Sequence, residues 1–149
     1  MTRYGMAIDL KRCFGCHACE VACKVANNLP ADLAYNRVMT VGGDSFDTAA
    51  GEFPNCTLSF LPMQCQHCET PACFAVCPTG ATQKDEKTGI VTVDGETCIG
   101  CGSCIQACPY QGVRTLIGDD PDYYLDVVVG EADAPAHKPS TVEKCTFCK

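Results

Sequence analysis

The chain has 149 residues and a net charge of −7, with no stretch that gathers lysine and arginine, which argues against nucleic-acid binding through a basic face. No run approaches the roughly 20 apolar residues of a membrane helix, and the N-terminal MTRYGMAIDL has neither the basic start nor the apolar core of a secretory signal. Fifteen cysteines, an odd number in a chain expected to be made in a reducing compartment, point to metal ligands before disulfides. With no tryptophan and 7% aromatics the apolar core must be thin, and ligation of metal commonly supplies the missing folding free energy.

Tyr4–Leu10 reads as a short strand leading into a first cysteine group, Cys13, Cys16, Cys19 and Cys23 in CFGCHACEVAC. The stretch HACEVACKVA favours a helix, and Asn27–Asn55 reads as a long loop or insertion. Thr57–Met63 is a second strand candidate before group two, Cys65, Cys68, Cys73 and Cys77 in CQHCETPACFAVCP, with a short helix over PACFAVC. Thr82–Gln83 and Ile90–Val93 flank the polar turn KDEKTG and predict a small hairpin. Group three follows, Cys98, Cys101, Cys104 and Cys108 in CIGCGSCIQACP, with a short helix over SCIQAC. Val113–Ile117 and Tyr123–Val129 are further strand candidates, the latter within a second loop or insertion at Gly118–Thr141. Cys145 and Cys148 form group four, in CTFC. Pro78 and Pro109 are expected to end two of the helices. Cys56 stands alone and reads as a small buried residue with no ligand role. His17 and His67, inside cysteine loops, read as solvated positions.

An internal repeat links groups one and three. Asp9–Cys23 aligns without gaps on Asp94–Cys108, sharing the aspartate, four cysteines, Gly15 with Gly100, and Ala22 with Ala107. That is the mark of a duplicated module. Asp94 and Glu96, beside group three, could lower a potential there, although surface acids are ordinarily solvating.

The spacing carries the chemistry. In C-x2-C-x2-C three thiolates converge because the loop wraps one centre. The run C-x2-C-x2-C-x3-C-P is the bacterial ferredoxin pattern, whose fourth cysteine ligates the other cluster of a pair. Group three matches it in full, group two has two extra residues before its third cysteine, and group one has Lys24 where the proline would stand. Zinc ribbons also use paired CxxC motifs, but they leave the third cysteine and the x3-C-P unexplained. By the crossover rule, Cys65, Cys68 and Cys73 with Cys108 hold one [4Fe–4S] cluster, and Cys98, Cys101 and Cys104 with Cys77 hold a second. Cys13, Cys16 and Cys19 begin a third; Cys23, Cys145 and Cys148 begin a fourth. Each of these two lacks one ligand. There is no GxSxG, P-loop or dinucleotide fingerprint, and no residue is assigned a catalytic role.

CFGCHACEVACK, CQHCETPACFAVCPTGA and CIGCGSCIQACPY, in that order, resemble the four-cluster iron–sulfur subunit of dimethyl sulfoxide reductase-type molybdoenzymes. The resemblance covers nearly the whole chain. It implies an α+β fold of tandem bacterial ferredoxin-like modules, with short strands, short helices and long loops. On that basis residues 1–55 form a first cluster module with an insertion, 56–117 a complete dicluster module, and 118–149 an insertion and a return to the first module. The family pattern also implies a continuation of group four with two more cysteines, so the sequence reads as part of a longer chain with up to four clusters. The implied function is electron relay between a membrane quinone-linked or anchor subunit and a molybdopterin-containing catalytic subunit. The chain itself would not span the membrane and would associate with it through these partners, on the cytoplasmic face or exported with a twin-arginine partner. A freestanding polyferredoxin and a cytosolic hydrogenase or formate-lyase subunit are the rival readings.

Overall fold

Proline placement decides how far each helix runs. In group one Lys24 occupies the position that is proline elsewhere, and α1 continues through Ala18–Ala26. Lys24 lies in its last turn, where the helix dipole favours a cation, and its Nζ donates to the carbonyls of Pro30 at 3.1 Å and Ala31 at 2.6 Å. Cys77 and Cys108 precede prolines, which disfavours the α region for them. Their helices are cut short, α2 at Ala72–Ala75 and α3 at Ser103–Gln106.

The computed structural model describes residues 2–43, 47–125, 127–130, 134 and 137–148. Among these, the strands form four separate antiparallel pairs. β1 (Asn36–Val41), β2 (Ala50–Glu52), β3 (Asn55–Thr57) and β4 (Ser59–Gln64) lie between the first two cysteine groups. β1 pairs with β4, Asn36 opposite Gln64, while β2 and β3 close a tight inner hairpin. β5 (Thr82–Lys84) pairs with β6 (Val91–Val93), and β7 (Arg114–Leu116) with β8 (Val142–Lys144). β4 runs directly into Cys65 and β8 directly into Cys145, so these ladders aim two cysteine loops. No helix is long and apolar enough to cross a membrane among the described residues.

The expected hairpin over Thr82–Val93, the strand within Val113–Ile117 and the strand over Thr57–Met63 are present. Three expectations need correction. Tyr4–Leu10 forms no ladder; every described residue from Thr2 to Arg12 is exposed, so alternation has no buried face to select. It is tied by the Tyr4 N–H donating to Thr88 O at 3.1 Å. Asn27–Asn55 is not simply a loop, because it holds β1 and β2 and buries Leu29, Leu33, Tyr35 and Val38. Tyr123–Val129 carries no strand among its described residues. Tyr124, Leu125, Val127 and Val128 are exposed, and Asp126 lies outside the described residues. Within the two expected loop segments, residues 44–46, 131–133 and 135–136 are outside them as well.

The interior is built partly of thiols. One core cluster joins Leu29, Leu33, Tyr35 and Ile117 to Cys65 and Cys145, with Cys23 and Phe147 against it. A second joins Val91 and Val142 to Cys73 and Cys104, with Cys98 and Ile105 alongside. Cys56, in contrast, is exposed on β3 and not the buried residue expected from sequence.

A buried polar knot ties the first insertion to β8. Tyr35 donates to Glu143 Oε2 at 2.6 Å, and His137 bonds the same oxygen through Nδ1 at 2.7 Å and Asn27 O through Nε2 at 2.9 Å. Both ring nitrogens face acceptors, so both must carry hydrogen. Burial works against that charge, but the hydrogen bond and negative charge of Glu143 outweigh it and raise the His137 pKa. A folded pKa above the unfolded one gives stability that is full at low pH and lost as pH rises through the folded value. The cluster-loaded protein is therefore expected to melt at lower temperature as pH climbs from about 6 through the neutral range. His137→Gln should flatten that slope; an unchanged slope in thermal melts would contradict the assignment.

Candidate iron–sulfur sites

Each CxxC loop turns at the same place. The second residue between the two cysteines has positive φ in all four groups: Gly15 at 74°, His67 at 43°, Gly100 at 65° and Phe147 at 59°. This left-handed step folds the backbone around the space the thiols face. In the repeat the match extends further, since His17 (57°) and Gly102 (72°) also coincide. Close approach explains the two shared glycines. A Cβ at Gly15 would collide with the Phe60 ring, and one at Gly100 with the Ser140 carbonyl oxygen. The shared aspartates have a local role too. Asp9 accepts the Lys11 N–H at 3.0 Å, Asp94 accepts the Glu96 N–H at 3.0 Å and the Thr97 hydroxyl, and Asp94 O accepts the Cys98 N–H at 3.0 Å. These Asx turns steer the chain into its cysteine loop.

Cys77, Cys98, Cys101 and Cys104 line one small hollow, whose other walls include Ala81, Val93 and Val142. Cys77 comes from the group-two loop and the other three from group three. Burial raises the Cys77 thiol, but the Thr82 N–H at 3.4 Å and the Thr79 hydroxyl at 3.8 Å bring it down to about 7. Cys101 is lowered by its hydrogen bond with Ser103 at 3.5 Å. The Cys104 thiol is raised, by burial first, with Cys98 and Cys101 adding to it.

Cys73 is expected in the companion set. Burial raises its pKa, Arg114 opposes, and the nearby Cys65 and Cys108 raise it further. Arg114 Nη2 donates to Cys73 Sγ at 2.9 Å, while its Nη1 is buried with no acceptor among the described residues. Cys68 is half-buried at the end of the same CxxC loop. The third set is close too: burial raises Cys23 to about 11, and Cys145, Cys148 and Cys19 push the same way, against the Asn27 amide 3.7 Å away. Cys145 is buried and raised, and it accepts the Phe147 N–H at 3.4 Å. Cys13 is half-buried, and Cys16 and Cys19 are exposed.

His67 departs from its sequence reading. It is buried, its Nδ1 accepts the Val91 N–H at 2.9 Å, and its ring stacks on Phe147 at 4.1 Å. Burial first, then Lys144, hold its pKa down at about 4. Sequence reasoning also missed Arg114 and Lys144. They face each other across the β7–β8 ladder, each only 3% exposed, and neither pairs with a carboxylate among the described residues. Lys144 Nζ donates to Val91 O and to Cys145 O at 2.8 Å. In sequence each is only a basic residue in a short strand.

The donors fit a cubane cluster. They are soft thiolates, matched to iron–sulfur chemistry. Among the described residues no three His, Cys, Asp or Glu converge as the ligands of a single ion do; each thiolate of a cubane binds a different iron, so its four sulfurs stand apart. The orphaned Arg114 Nη1 is a buried donor left over for the sulfur of a bound cluster. The chain is thus an iron–sulfur protein built from ferredoxin-like 4Fe–4S domains, with short strands and helices. Residues 56–117 and 90–149 each match a family described as a 4Fe–4S dicluster domain, and residues 10–26 a 4Fe–4S binding domain.

The chain, more narrowly, belongs to the iron–sulfur electron-transfer subunits of the dimethyl sulfoxide reductase-type oxidoreductases. It is 39% identical to the thiosulfate reductase electron transfer subunit of Salmonella typhi, over 90% of this chain and 69% of the relative. It is 49% identical to a selenate reductase subunit of Mesobacillus selenatarsenatis, over 97% of this chain and 51% of the relative. It is 43% identical to a subunit of the anaerobic dimethyl sulfoxide reductase of Escherichia coli, over 73% of this chain and 53% of the relative. The chain spans about half the length of the last two.

Gly100 and Gly102 separate backbone conformation from crowding. Gly102→Ala meets open space and only the left-handed φ, a cost of about 1 kcal/mol. Gly100→Ala adds the Ser140 collision and should cost several times as much, read as lost iron after mild heating. Equal losses would contradict the close approach.

Proposed function

We propose that the chain relays electrons between a membrane quinone-linked subunit and a molybdopterin-containing catalytic subunit, to which it is held as a peripheral partner at the membrane. Bound [4Fe–4S] clusters supply one-electron redox chemistry at thiolate-ligated iron. The residues do the rest. Cys77, Cys98, Cys101 and Cys104 form one ligand set; Cys65, Cys68, Cys73 and Cys108 form its crossed companion. Cys13, Cys16 and Cys19 belong to a third site, and Cys23, Cys145 and Cys148 to a fourth. The shared hollow of Cys77 with the three group-three thiols carries this reading, since only a crossover brings that cysteine there. The modules are tandem: 56–117 the complete dicluster unit, 1–55 the first unit with its insertion, and 118–149 the return to it. Thr79, Thr82, Asn27 and Arg114 place donors on ligand sulfurs, which steadies the thiolate form and excludes competing protons.

The ligand sets make distinct forecasts for single Cys→Ala variants of anaerobically purified protein. Wild type holds about eight irons per chain or more. Cys77→Ala and Cys104→Ala should delete the same low-temperature EPR signal, with about four irons lost, and Cys65→Ala and Cys108→Ala a different one. If Cys77→Ala behaves like Cys65→Ala, the crossed assignment is wrong. Stoichiometric zinc without iron would remove the cluster reading entirely. Purification as a stable monomer, with no pterin-containing partner, would contradict the relay's place in a complex.

A further inference from the structure

Two buried cations sit side by side among the ligand thiols. Arg114 and Lys144 are register partners in the β7–β8 ladder, where like charges directly opposite are unfavourable. A buried charge needs a compensating one. Among the described residues, the five ion pairs involve Arg3, Arg12, His17, His137 and Lys138, and neither of these two. Their negative surroundings are thiolates. Arg114 bonds Cys73 Sγ directly and stands close enough to act on Cys104, so it touches both members of the crossed pair. Lys144 stands near Cys65, Cys73 and Cys145. Among the described residues no hydrogen bond joins either cation to Cys13, Cys16 or Cys19.

We propose that Arg114 is a potential-setting residue shared by the two crossed cluster sites, with Lys144 adding its charge at the site of Cys65, Cys68, Cys73 and Cys108 and at that of Cys23, Cys145 and Cys148. This rests on the ligand assignment proposed above. Reduction places one more negative charge on a site whose ligand sulfur already accepts from a guanidinium. A fixed cation at that distance in a low-dielectric interior stabilises the reduced form more than the oxidised one. Arg114 cannot escape by losing its proton. Both crossed sites are therefore held at higher potential than their thiolates alone would give. The site of Cys73 is raised most, because it meets both cations, and the site begun by Cys13, Cys16 and Cys19 is left untouched. The effect is a graded row of potentials written by one ladder pair.

The test is an EPR-monitored redox titration of the whole protein, wild type against Arg114→Met, Arg114→Lys and Lys144→Met. Arg114→Met should move two midpoints negative and leave the others in place, at unchanged iron content. Arg114→Lys, which keeps the charge, should restore most of both shifts. Lys144→Met should lower the Cys73 site and that of Cys145, and leave the site of Cys98, Cys101 and Cys104 still. Full iron with unmoved midpoints would overturn the role, as would equal shifts in the Met and Lys variants of Arg114, which would make packing and not charge the cause. Should both Met variants lose iron, Arg114→Gln and Lys144→Gln, which keep a polar side chain without the charge, carry the test: full iron with wild-type midpoints there would overturn the role. A wild-type protein without four-iron clusters would instead sink the ligand assignment on which the inference rests.

Discussion

Thiolates crowded into an interior repel one another and resist burial, and this constraint shapes most of what surrounds them. Burial is the first cause raising Cys23, Cys73, Cys104 and Cys145, with neighbouring cysteines pushing the same way. A packed protein of thiols alone would hold them protonated. Iron changes the balance, because ligation takes the thiolate form and spreads its charge over a cluster. The apolar side chains are correspondingly few, and the two core clusters each include cysteines from different proposed ligand sets. On the proposed ligand assignment, the fold's core and its redox sites are the same object.

The donors around the sulfurs follow from that. Thr82, Thr79, Asn27, Phe147 and Arg114 each bring an N–H or O–H to a cysteine of the proposed ligand sets, and the left-handed turn in the first CxxC loop of every group curls the backbone toward the same space. Short ladders entering Cys65 and Cys145 keep the loops in position without a large sheet.

Much of this was legible in the sequence, and for stated reasons. Cysteine spacing is a local quantity, and Pro78, Pro109 and Lys24 announce helix lengths through the backbone alone. Gly15 and Gly100 announce the left-handed step. His67 and Phe147 hide the same step, because a histidine and a phenylalanine at positive φ are tolerated only where surrounding contacts, here their mutual stack, over-determine it. Arg114 and Lys144 were invisible, since burial of a charge depends on a cross-strand partner and distant thiols, not on its neighbours in the chain. β1 was missed within a stretch read as a loop, and the apolar run Tyr123–Val129 was read as a strand although it finds no ladder partner among the described residues. Pairing is non-local, and periodicity cannot supply it.

The central claim is that Cys77 and Cys108 cross between neighbouring loops, so that two clusters share one small module. Low-temperature EPR of the fully reduced protein tests this most directly. Clusters held in one crossed module should interact magnetically and give split, broadened spectra. Sharp, independent signals that add without interaction would contradict it.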